Sequence, residues 1–310
     1  MSITTIILNK NNNPNKTIES LDVIAPEQII LGTFSPIKTT KNITLVELQQ
    51  GTPYNIVLNQ LLDLVKTDWV FYIKDNEKII NCNENMDSIL SRKDNYGIQI
   101  LQDDVLIKET RLWRKDSSIR FKNAVFEKLT GEPTRILDIL VYQKKTNVDG
   151  LIDLWRKSQP LSIEACYYKA FSELSKRNFK NFKSLINDYL FKTNKNDIPG
   201  VMARYYLSLV NGLVDDNVKE AIQNITICLA ENLLMAEFWC LLGDIFIKME
   251  KFEEATIFYE NAIYLGSRRN KLDFWPMHIP KYGDYPKTMI EKCKNILDST
   301  KTWTKRHPNH

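Results

Sequence analysis

Directly after the apolar run 69–73 stand four polar residues, Lys74, Asp75, Asn76 and Glu77. Side chains two positions apart on an extended segment point the same way, so the carboxylates of Asp75 and Glu77 could together hold a divalent cation. The ammonium of Lys74 could instead supply positive charge directly to a phosphate. A plain polar turn, with Lys74 solvated at a strand end, is the alternative that the same residues allow.

Two arginines form a second group that could take part in ligand binding. Arg111 and Arg114 flank Leu112 and Trp113, and guanidinium groups match phosphates with two parallel hydrogen bonds. The same alternation of polar and apolar residues is typical of an ordinary strand with one polar face. Both interpretations stay open at the level of the sequence.

Cysteine, histidine and charge content exclude several functional classes. The five cysteines form no Cys-x-x-Cys pair, which argues against a zinc site or a disulfide framework. The three histidines follow residue 277 without metal-ligand spacing. Residues 1–150 carry 19 basic and 19 acidic residues, so the net charge of +4 comes from the remainder and indicates no nucleic-acid site. Without a signal peptide or a membrane-length apolar run, we expect a cytoplasmic protein with no membrane span.

Apolar periodicity predicts the elements that position residues 74–77. Runs at 3–8, 28–31 and 69–73 predict buried strands, and the spacing over 54–65 predicts an amphipathic helix. Further strands are predicted at 43–48, 98–101, 105–112, 119–121 and 136–142. This order predicts a mostly parallel sheet with helices on both faces. Ligands of such sheets bind beyond the carboxyl ends of the strands, so the loops after the first three runs should meet.

From residue 151 the pattern changes to long helices with few glycines. One stretch matches the tetratricopeptide consensus, in which large residues of one helix face small residues of the next. Its positions are Trp239, Leu242, Gly243, Phe246, Phe252, Ala255, Tyr259 and Ala262. A weaker copy about 34 residues earlier comprises Tyr205, Val218, Ala221, Ile225 and Cys228. We therefore predict an α/β domain at 1–150 and an all-α tetratricopeptide-like domain at 151–310.

An aromatic cluster near the end of the repeats has two interpretations. Its members are Phe274, Trp275, Pro276, Met277, Tyr282, Tyr285 and Pro286. Such side chains could bind a ligand in a groove, although they more often pack against the last helix of an array. The sequence leaves the choice between these two uses open.

Five patches occur in order over roughly the first 130 residues. They are Lys10-Asn11-Asn12, Gly32-Thr33-Phe34-Ser35, Asn59, the segment 68–77, and a stretch from Arg111 through Ile119-Arg120-Phe121 to Val125-Phe126-Glu127. Together they resemble the bacterial and viral family-two glycosyltransferases that are fused to tetratricopeptide repeats. The segment 68–77 stands at the place of that family's Asp-x-Asp metal motif. The resemblance implies a GT-A-like (Rossmann-like) fold for the first domain.

The resemblance also implies an activity and a set of site residues. A sugar would pass from a nucleoside-diphosphate sugar to a hydroxyl acceptor with inversion, and Glu127 would be the base that takes the acceptor's proton. The nucleotide sugar would contact Lys10, Asn11, Thr33, Asn59, Lys74, Asp75, Asn76, Glu77 and Arg111. In the family, Mn²⁺ or Mg²⁺ bridges the diphosphate to the Asp-x-Asp carboxylates.

This chain departs from the family at polar positions of the site. The two Asp residues of the metal motif are Lys74 and Asn76, the nucleotide-contacting Asp is Gly32, and the His beside the base is Phe126. A charged lysine cannot ligate a metal that needs oxygen donors. Two hypotheses follow: a metal-independent glycosyltransferase, or an inactive scaffold whose repeats bind a protein partner.

Overall fold

The computed structural model of the chain describes residues 2–10, 13–34, 43–92, 94–122, 128–144, 152, 162–193, 197–270 and 273–306. The chain divides into two compact units. The first comprises Met1–Val148 with Leu272–Pro276, and the second comprises Asp149–Lys271 with Met277–His310. Strands dominate the first unit and helices the second, which confirms the prediction of a sheet domain followed by a helical domain.

The first unit contains most of the strands of the chain. The described strands are β1 (Ile3–Asn9), β2 (Gln28–Thr33), β3 (Thr44–Glu47), β4 (Trp69–Lys74), β5 (Glu77–Cys82), β6 (Tyr96–Gln102), β7 (Val105–Arg114), β8 (Phe121–Lys122), β9 (Lys128–Leu129) and β10 (Arg135–Gln143). The described helices are α1 (Asn15–Ser20), α2 (Tyr54–Asp63) and α3 (Met86–Leu90), with a 3₁₀ turn at Leu21–Val23. The strands predicted at 3–8, 28–31 and 69–73 thus lie in β1, β2 and β4.

The main sheet is mixed, with the strand order β3-β2-β1-β4-β7-β6-β10-β5. The neighbours β3, β2, β1 and β4 run parallel. β7 runs antiparallel to both β4 and β6, and a two-residue turn at 103–104 joins it to β6 as a hairpin. The prediction of a mostly parallel sheet therefore describes the half from β3 to β4, while the other half mixes directions. β8 and β9 form a separate two-stranded ribbon.

The connection from β4 to β5 curls this sheet. β5 begins after only two intervening residues, yet it pairs with β10 at the far end of the strand order. Three residue steps of chain span at most about 10 Å, so the last strand of the order must begin close to the end of β4. The strands from β4 round to β5 therefore enclose a shared interior.

Both faces of the sheet are buried around β1 and β4. One face carries the cluster that includes Ile3, Ile7, Leu31, Trp69, Phe71 and Ile73. The other face carries Ile6, Leu8, Val70 and Tyr72, which pack against Val57, Leu58, Leu61 and Leu62 of α2. β4 is thus an interior strand between β1 and β7, and this burial fixes where the polar residues 74–77 begin.

The second unit is built mainly from helices. The described helices are α4 (Ile163–Ser175), α5 (Phe179–Thr193), α6 (Ile198–Leu213), α7 (Val218–Glu231), α8 (Ala236–Lys248), α9 (Phe252–Gly266) and α10 (Asp284–Arg306), and between the last two lie β11 (Met277–His278) and a 3₁₀ turn (Ile279–Tyr282). α4, α6 and α7 begin where Ser162, Asp197 and Asn217 accept a hydrogen bond from the N–H three residues further on. Each cap satisfies a donor that the first turn leaves open.

Small residues let successive helices approach closely. A Cβ atom at Gly243 of α8 would lie 2.6 Å from the ring of Tyr259 in α9, and Ala255 is fully buried in that hairpin. Ala221 and Cys228 of α7, the predicted equivalents one period earlier, are fully buried as well. The repeated positions thus have the same packing role in two successive hairpins. Among the helices of the described ranges, none has the length and apolar character needed to cross a membrane.

Replacing Gly243 with alanine should destabilise the protein, because the added methyl group meets the Tyr259 ring. Overpacking costs about 1–3 kcal/mol, against at most about 1 kcal/mol gained in helix propensity. Urea unfolding followed by circular dichroism measures the net loss. The control, Thr226→Ala at an exposed position of α7, should change the free energy of unfolding by about 0.5 kcal/mol or less. An unchanged unfolding midpoint for Gly243→Ala would contradict the packing described here.

Candidate functional site

The ends of three parallel strands bring several predicted site residues together. β1 ends at Asn9, β2 at Thr33 and β4 at Lys74. Asn9 Nδ2 donates to Thr33 Oγ1 at 3.3 Å, and the N–H of Lys10 donates to Asp75 Oδ2 at 2.6 Å. The loops after β1 and β4 are therefore direct neighbours at the carboxyl edge of the sheet, where ligands of such folds bind.

The turn between β4 and β5 is held from two sides. Thr17 Oγ1 lies 3.1 Å from the carbonyl oxygen of Asp75 and 2.5 Å from that of Glu77. On the other side, Asn76 Nδ2 donates to the carbonyl of Lys144 at 2.7 Å, and the Lys144 N–H donates back to the carbonyl of Asn76 at 3.0 Å. The predicted site residues Asp75 and Asn76 are therefore fixed in place by the protein itself.

Glu77 and Arg111 form a buried ion pair behind this turn. Arg111 donates from Nη2 to Glu77 Oε1 at 2.9 Å and from Nη1 to Glu77 Oε2 at 3.2 Å. Glu77 is 2% exposed and Arg111 is 1% exposed, and the guanidinium lies 5.0 Å from the ring centroid of Tyr72. Two parallel charge-assisted hydrogen bonds make this a strong contact. Glu77 and Arg111, which were both predicted to contact a nucleotide sugar, are thus bonded to each other.

Lys74 and Glu109 complete a cluster of four charges. Glu109 Oε2 accepts from Arg111 Nη2 at 2.7 Å, and Lys74 Nζ lies 3.7 Å from Glu109 Oε2 and 3.9 Å from Glu77 Oε1. The backbone N–H of Lys74 donates to Glu77 Oε2 at 2.8 Å. Two cations and two carboxylates thus balance one another. Glu109 was not among the predicted site residues, although its position two residues before Arg111 predicts a shared face of the strand.

A divalent cation, which the resembled family holds at this turn, does not fit the residues present. The Asp75 carboxylate accepts the Lys10 N–H, and both oxygens of Glu77 accept from Arg111. A metal ion at Glu77 would displace a guanidinium and would face the ammonium of Lys74. In the described part of the chain, no group of three or more metal-ligating side chains comes together. We derive no chemical step through Mn²⁺ or Mg²⁺ at this turn.

Lys10 and Phe34 meet at the start of α2. Lys10 Nζ lies 4.2 Å from the ring centroid of Tyr54, and the Phe34 ring lies 6.0 Å from the same ring. The loops after β1 and β2 are thereby drawn onto α2. A cation–π contact of this kind contributes about 0.5–1 kcal/mol at an exposed site, so the Lys10 side chain is restrained towards Tyr54.

Asn59 uses its amide within the protein. Its Nδ2 donates to the Phe121 carbonyl at 3.0 Å, and its Oδ1 accepts from the Phe121 N–H at 2.9 Å. The Phe121 ring lies 5.0 Å from the ring of Tyr72 in β4. Asn59 therefore anchors β8 to α2, and the predicted contact of Asn59 with a nucleotide sugar would require these two bonds to break.

Of the remaining candidates, the structure describes Arg114. Asn11 and the predicted base Glu127 lie outside the described residues, as does Phe126. Arg114 pairs with Asp116 at 3.1 Å, where the Asp116 side chain is 69% exposed. The structure thus brings Lys10, Thr33 and residues 74–77 to one edge, with Arg111 behind them.

A cavity of about 350 Å³ lies between β3 and α2. Its lining includes Glu47, Gln49 and Gln60 together with apolar side chains. The predicted site residues that the structure describes do not line this cavity. It therefore gives no support to a nucleotide held against Lys74.

Comparison with known proteins does not assign the chain to a family. No protein-family model matches it, and no curated protein matches it. Structural likenesses were found among solved structures.

MamA from residue 41 to its end, from Desulfovibrio magneticus RS-1, shares 17% identity over 50% of this chain and 78% of that chain, with a TM-score of 0.36. PcrH in complex with the chaperone-binding region of PopD shares 9% identity over 46% of this chain and 92% of that chain, with a TM-score of 0.29. The glycosyltransferase TarS 1–349 from S. aureus shares 12% identity over 95% of this chain and 92% of that chain, with a TM-score of 0.34. Because these TM-scores are below 0.5, no activity is assigned from the likenesses.

Replacing Arg111 with leucine should destabilise the protein strongly, because Glu77 would keep a buried charge without its partner. Removing one side of a buried pair costs about 3–5 kcal/mol. The double variant Arg111→Leu/Glu77→Leu removes both charges and should recover part of that loss, as chemical denaturation of both proteins would show.

The matched control for this pair is Glu109→Gln, since the Glu109 side chain is 39% exposed. It should cost about 1 kcal/mol or less. A double variant that is no more stable than Arg111→Leu would show that the buried charge of Glu77 does not cause the loss.

Proposed function

We propose that the first unit is a non-catalytic scaffold and that the helical unit binds a segment of a protein partner. The observation that carries the proposal is the closed charge cluster of Lys74, Glu77, Glu109 and Arg111. It occupies the turn where the resembled glycosyltransferases direct carboxylates to a metal and a diphosphate. A fold can retain its core while its site residues take on structural roles.

The charge balance at the turn supports a structural role. Lys74 and Arg111 are engaged by Glu77 and Glu109. A diphosphate would have to compete with these two carboxylates for the two cations. Its binding would have to offset the loss of these ion pairs as well as the loss of hydration. The protein's own cations are the better partners for these carboxylates.

Successive helical hairpins support the second half of the proposal. The pairs α6–α7 and α8–α9 repeat the same small-residue packing, and stacked hairpins present extended surfaces on which peptides bind. Two aromatic side chains of this unit, Phe191 and Tyr264, are 88% and 56% exposed. Aromatic residues are enriched in protein interfaces. A protein segment is therefore the ligand class that suits this unit.

Metal-independent sugar transfer is the second candidate, and a specific observation favours it. The Lys74 side chain keeps 21% of its surface exposed at the carboxyl edge, and the buried Asn9 Oδ1 has no hydrogen-bond partner among the described residues. In this reading the Lys74 ammonium would neutralise charge on the departing diphosphate. Glu127 would take the proton from the acceptor hydroxyl.

Nucleoside-diphosphate sugars should leave the melting temperature of the full-length chain unchanged. A ligand at 100 times its Kd would stabilise the folded state by about 2.7 kcal/mol, so scanning fluorimetry would detect binding. Uridine, guanosine and thymidine diphosphate sugars are tested at millimolar concentration, with and without Mn²⁺. A rise in melting temperature that is lost in Lys74→Ala but kept in Lys78→Ala, at an exposed position of β5, would support sugar transfer instead.

Partner contacts should map to the helical unit. A lysine-reactive cross-linker is applied to cells that contain the tagged full-length chain, and mass spectrometry identifies the cross-linked lysines. We expect intermolecular cross-links at lysines of the second unit, such as Lys219 of α7 and Lys251 before α9. Cross-links confined to lysines of the sheet unit, such as Lys78 and Lys115, would refute this assignment. The absence of intermolecular cross-links from both units would refute it as well.

A further inference from the structure

Four tyrosines of the helical unit form a continuous row of rings, called the tyrosine row below. They are Tyr167 of α4, Tyr189 of α5, and Tyr205 and Tyr206 of α6. The Tyr167 ring centroid lies 4.9 Å from that of Tyr189, and the Tyr205 centroid lies 5.0 Å from that of Tyr206. Phe171 joins the two pairs, at 4.6 Å from Tyr167 and 5.0 Å from Tyr206. Ring contacts thus hold three successive helices together.

The hydroxyl groups of this row have no hydrogen-bond partner inside the described protein. Tyr189 is 6% exposed and Tyr205 is 8% exposed, and the hydroxyl of a buried tyrosine usually forms a hydrogen bond. Within the described ranges, none of the four hydroxyls is bonded to another side chain or to the backbone. Tyr167 and Tyr206 are only half-buried. The row therefore offers unused hydrogen-bond donors that a ligand can reach.

Other buried tyrosines of the helical unit are bonded within the protein. The Tyr259 hydroxyl donates to Asp244 Oδ1 at 2.6 Å, and the Tyr282 hydroxyl donates to Glu237 Oε2 at 2.6 Å. Tyr282 belongs to the aromatic cluster identified in the sequence, and its ring packs against the core cluster that contains Tyr259. Tyr282 therefore has a packing role, and the tyrosine row differs from it in its unbonded hydroxyls.

The electrostatic surroundings of the tyrosine row are negative. Burial, together with the charges of Asp197 and Glu164, raises the pKa of Tyr189 to about 12. Burial and the charge of Glu237 raise the pKa of Tyr206. In the described part of the chain, no basic side chain acts in the opposite direction on either tyrosine. Both hydroxyls are therefore protonated donors at physiological pH, in the field of carboxylates.

The charges near Tyr189 favour a cationic ligand over an anionic one. Asp197 and Glu164 are exposed, so a ligand can reach them. Lys169 of α4 lies 3.3 Å from Glu173 Oε1, which compensates its charge. An anionic ligand would be repelled by Asp197 and Glu164, whereas a lysine or arginine side chain would be attracted to them.

We propose that the tyrosine row is the partner-binding surface of the helical unit and that the bound segment is an extended peptide with lysine or arginine side chains. The hydroxyls of the row donate to main-chain carbonyls of this segment, which an extended chain leaves open and a helix uses for its own bonds. A basic side chain of the segment pairs with Asp197 and Glu164. The inference rests on the proposed function, in which the helical unit binds a protein segment, and it adds the position and the charge of that segment.

The first test selects ligands from a random octapeptide library displayed on phage, with the full-length chain as the target. We expect the selected peptides to contain more lysine and arginine than the unselected library, because Asp197 and Glu164 attract cations. Selected peptides without this enrichment would overturn the inference. Failure of the chain to retain any peptide would overturn it too.

The second test titrates the full-length chain into the most enriched peptide, which carries a fluorophore, and follows fluorescence anisotropy. Tyr167→Phe/Tyr206→Phe removes two hydroxyls and keeps both rings, so we expect about tenfold weaker binding. The urea midpoint of this variant should equal that of wild type, since no internal hydrogen bond is lost. The control is Tyr264→Phe on α9, where Tyr264 is 56% exposed, and it should bind as wild type does. Wild-type affinity in the double variant would overturn the inference.

Asp197→Asn tests the charge of the segment. Asparagine also caps helices, so α6 should begin as before while the peptide loses a carboxylate partner. We expect about threefold weaker binding and an affinity that depends less on salt than that of wild type. Unchanged affinity and salt dependence would show that no cation pairs with Asp197, which contradicts a basic segment at this position.

The cross-linking experiment separates these results from the proposed function. Partner cross-links on the helical unit, together with selected peptides whose binding ignores the tyrosines, refute only the tyrosine row. Tyrosine-dependent binding of basic peptides, together with partner cross-links confined to the sheet unit, refutes the proposed function instead.

Discussion

The buried pair of Glu77 and Arg111 sets what the carboxyl edge of the sheet can do. A guanidinium bound by two hydrogen bonds to a carboxylate away from water cannot exchange its partner without a large cost in free energy. Because Glu77 also accepts the Lys74 N–H, the pair fixes the end of β4 and the start of β5 together. Thr17 and Lys144 then hold the turn between them. The turn between β4 and β5 is therefore held in place by hydrogen bonds and an ion pair within the protein.

Local patterns predicted much of the architecture, whereas distant pairing was not predictable. The apolar run 69–73 predicted β4, and Ala255 and Ala262 predicted a close approach of two helices, since both depend on side-chain size and spacing. The half of the sheet from β7 to β5, in which strand directions are mixed, depends on which strands become neighbours across the chain. Asn59 matched a binding motif by position, but position does not reveal that its amide meets the backbone of Phe121. Glu127 lies outside the described residues and stays a prediction.

Each of the two units surrounds a buried carboxylate with hydrogen-bond donors. In the sheet unit, Glu77 meets a cation that is itself part of β7, so the contact persists for as long as the sheet does. In the helical unit, Glu237 is 3% exposed and accepts hydrogen bonds from the His278 N–H and the Tyr282 hydroxyl in the segment between α9 and α10. The same need for hydrogen-bond donors in a buried site is thus met by a neighbouring strand in one unit and by a connecting segment in the other.

The return of β5 to the far end of the strand order bears on how quickly the chain reaches its folded form. β5 pairs with β10 some 60 positions later in the sequence, whereas each helical hairpin joins segments that are adjacent in the sequence. Closing a long loop must precede the contacts that reward it, and chains dominated by such contacts fold more slowly. The helical unit should therefore acquire its structure first during refolding. Formation of the curled sheet, which is complete only when β10 pairs with β5, should therefore limit the overall rate of refolding.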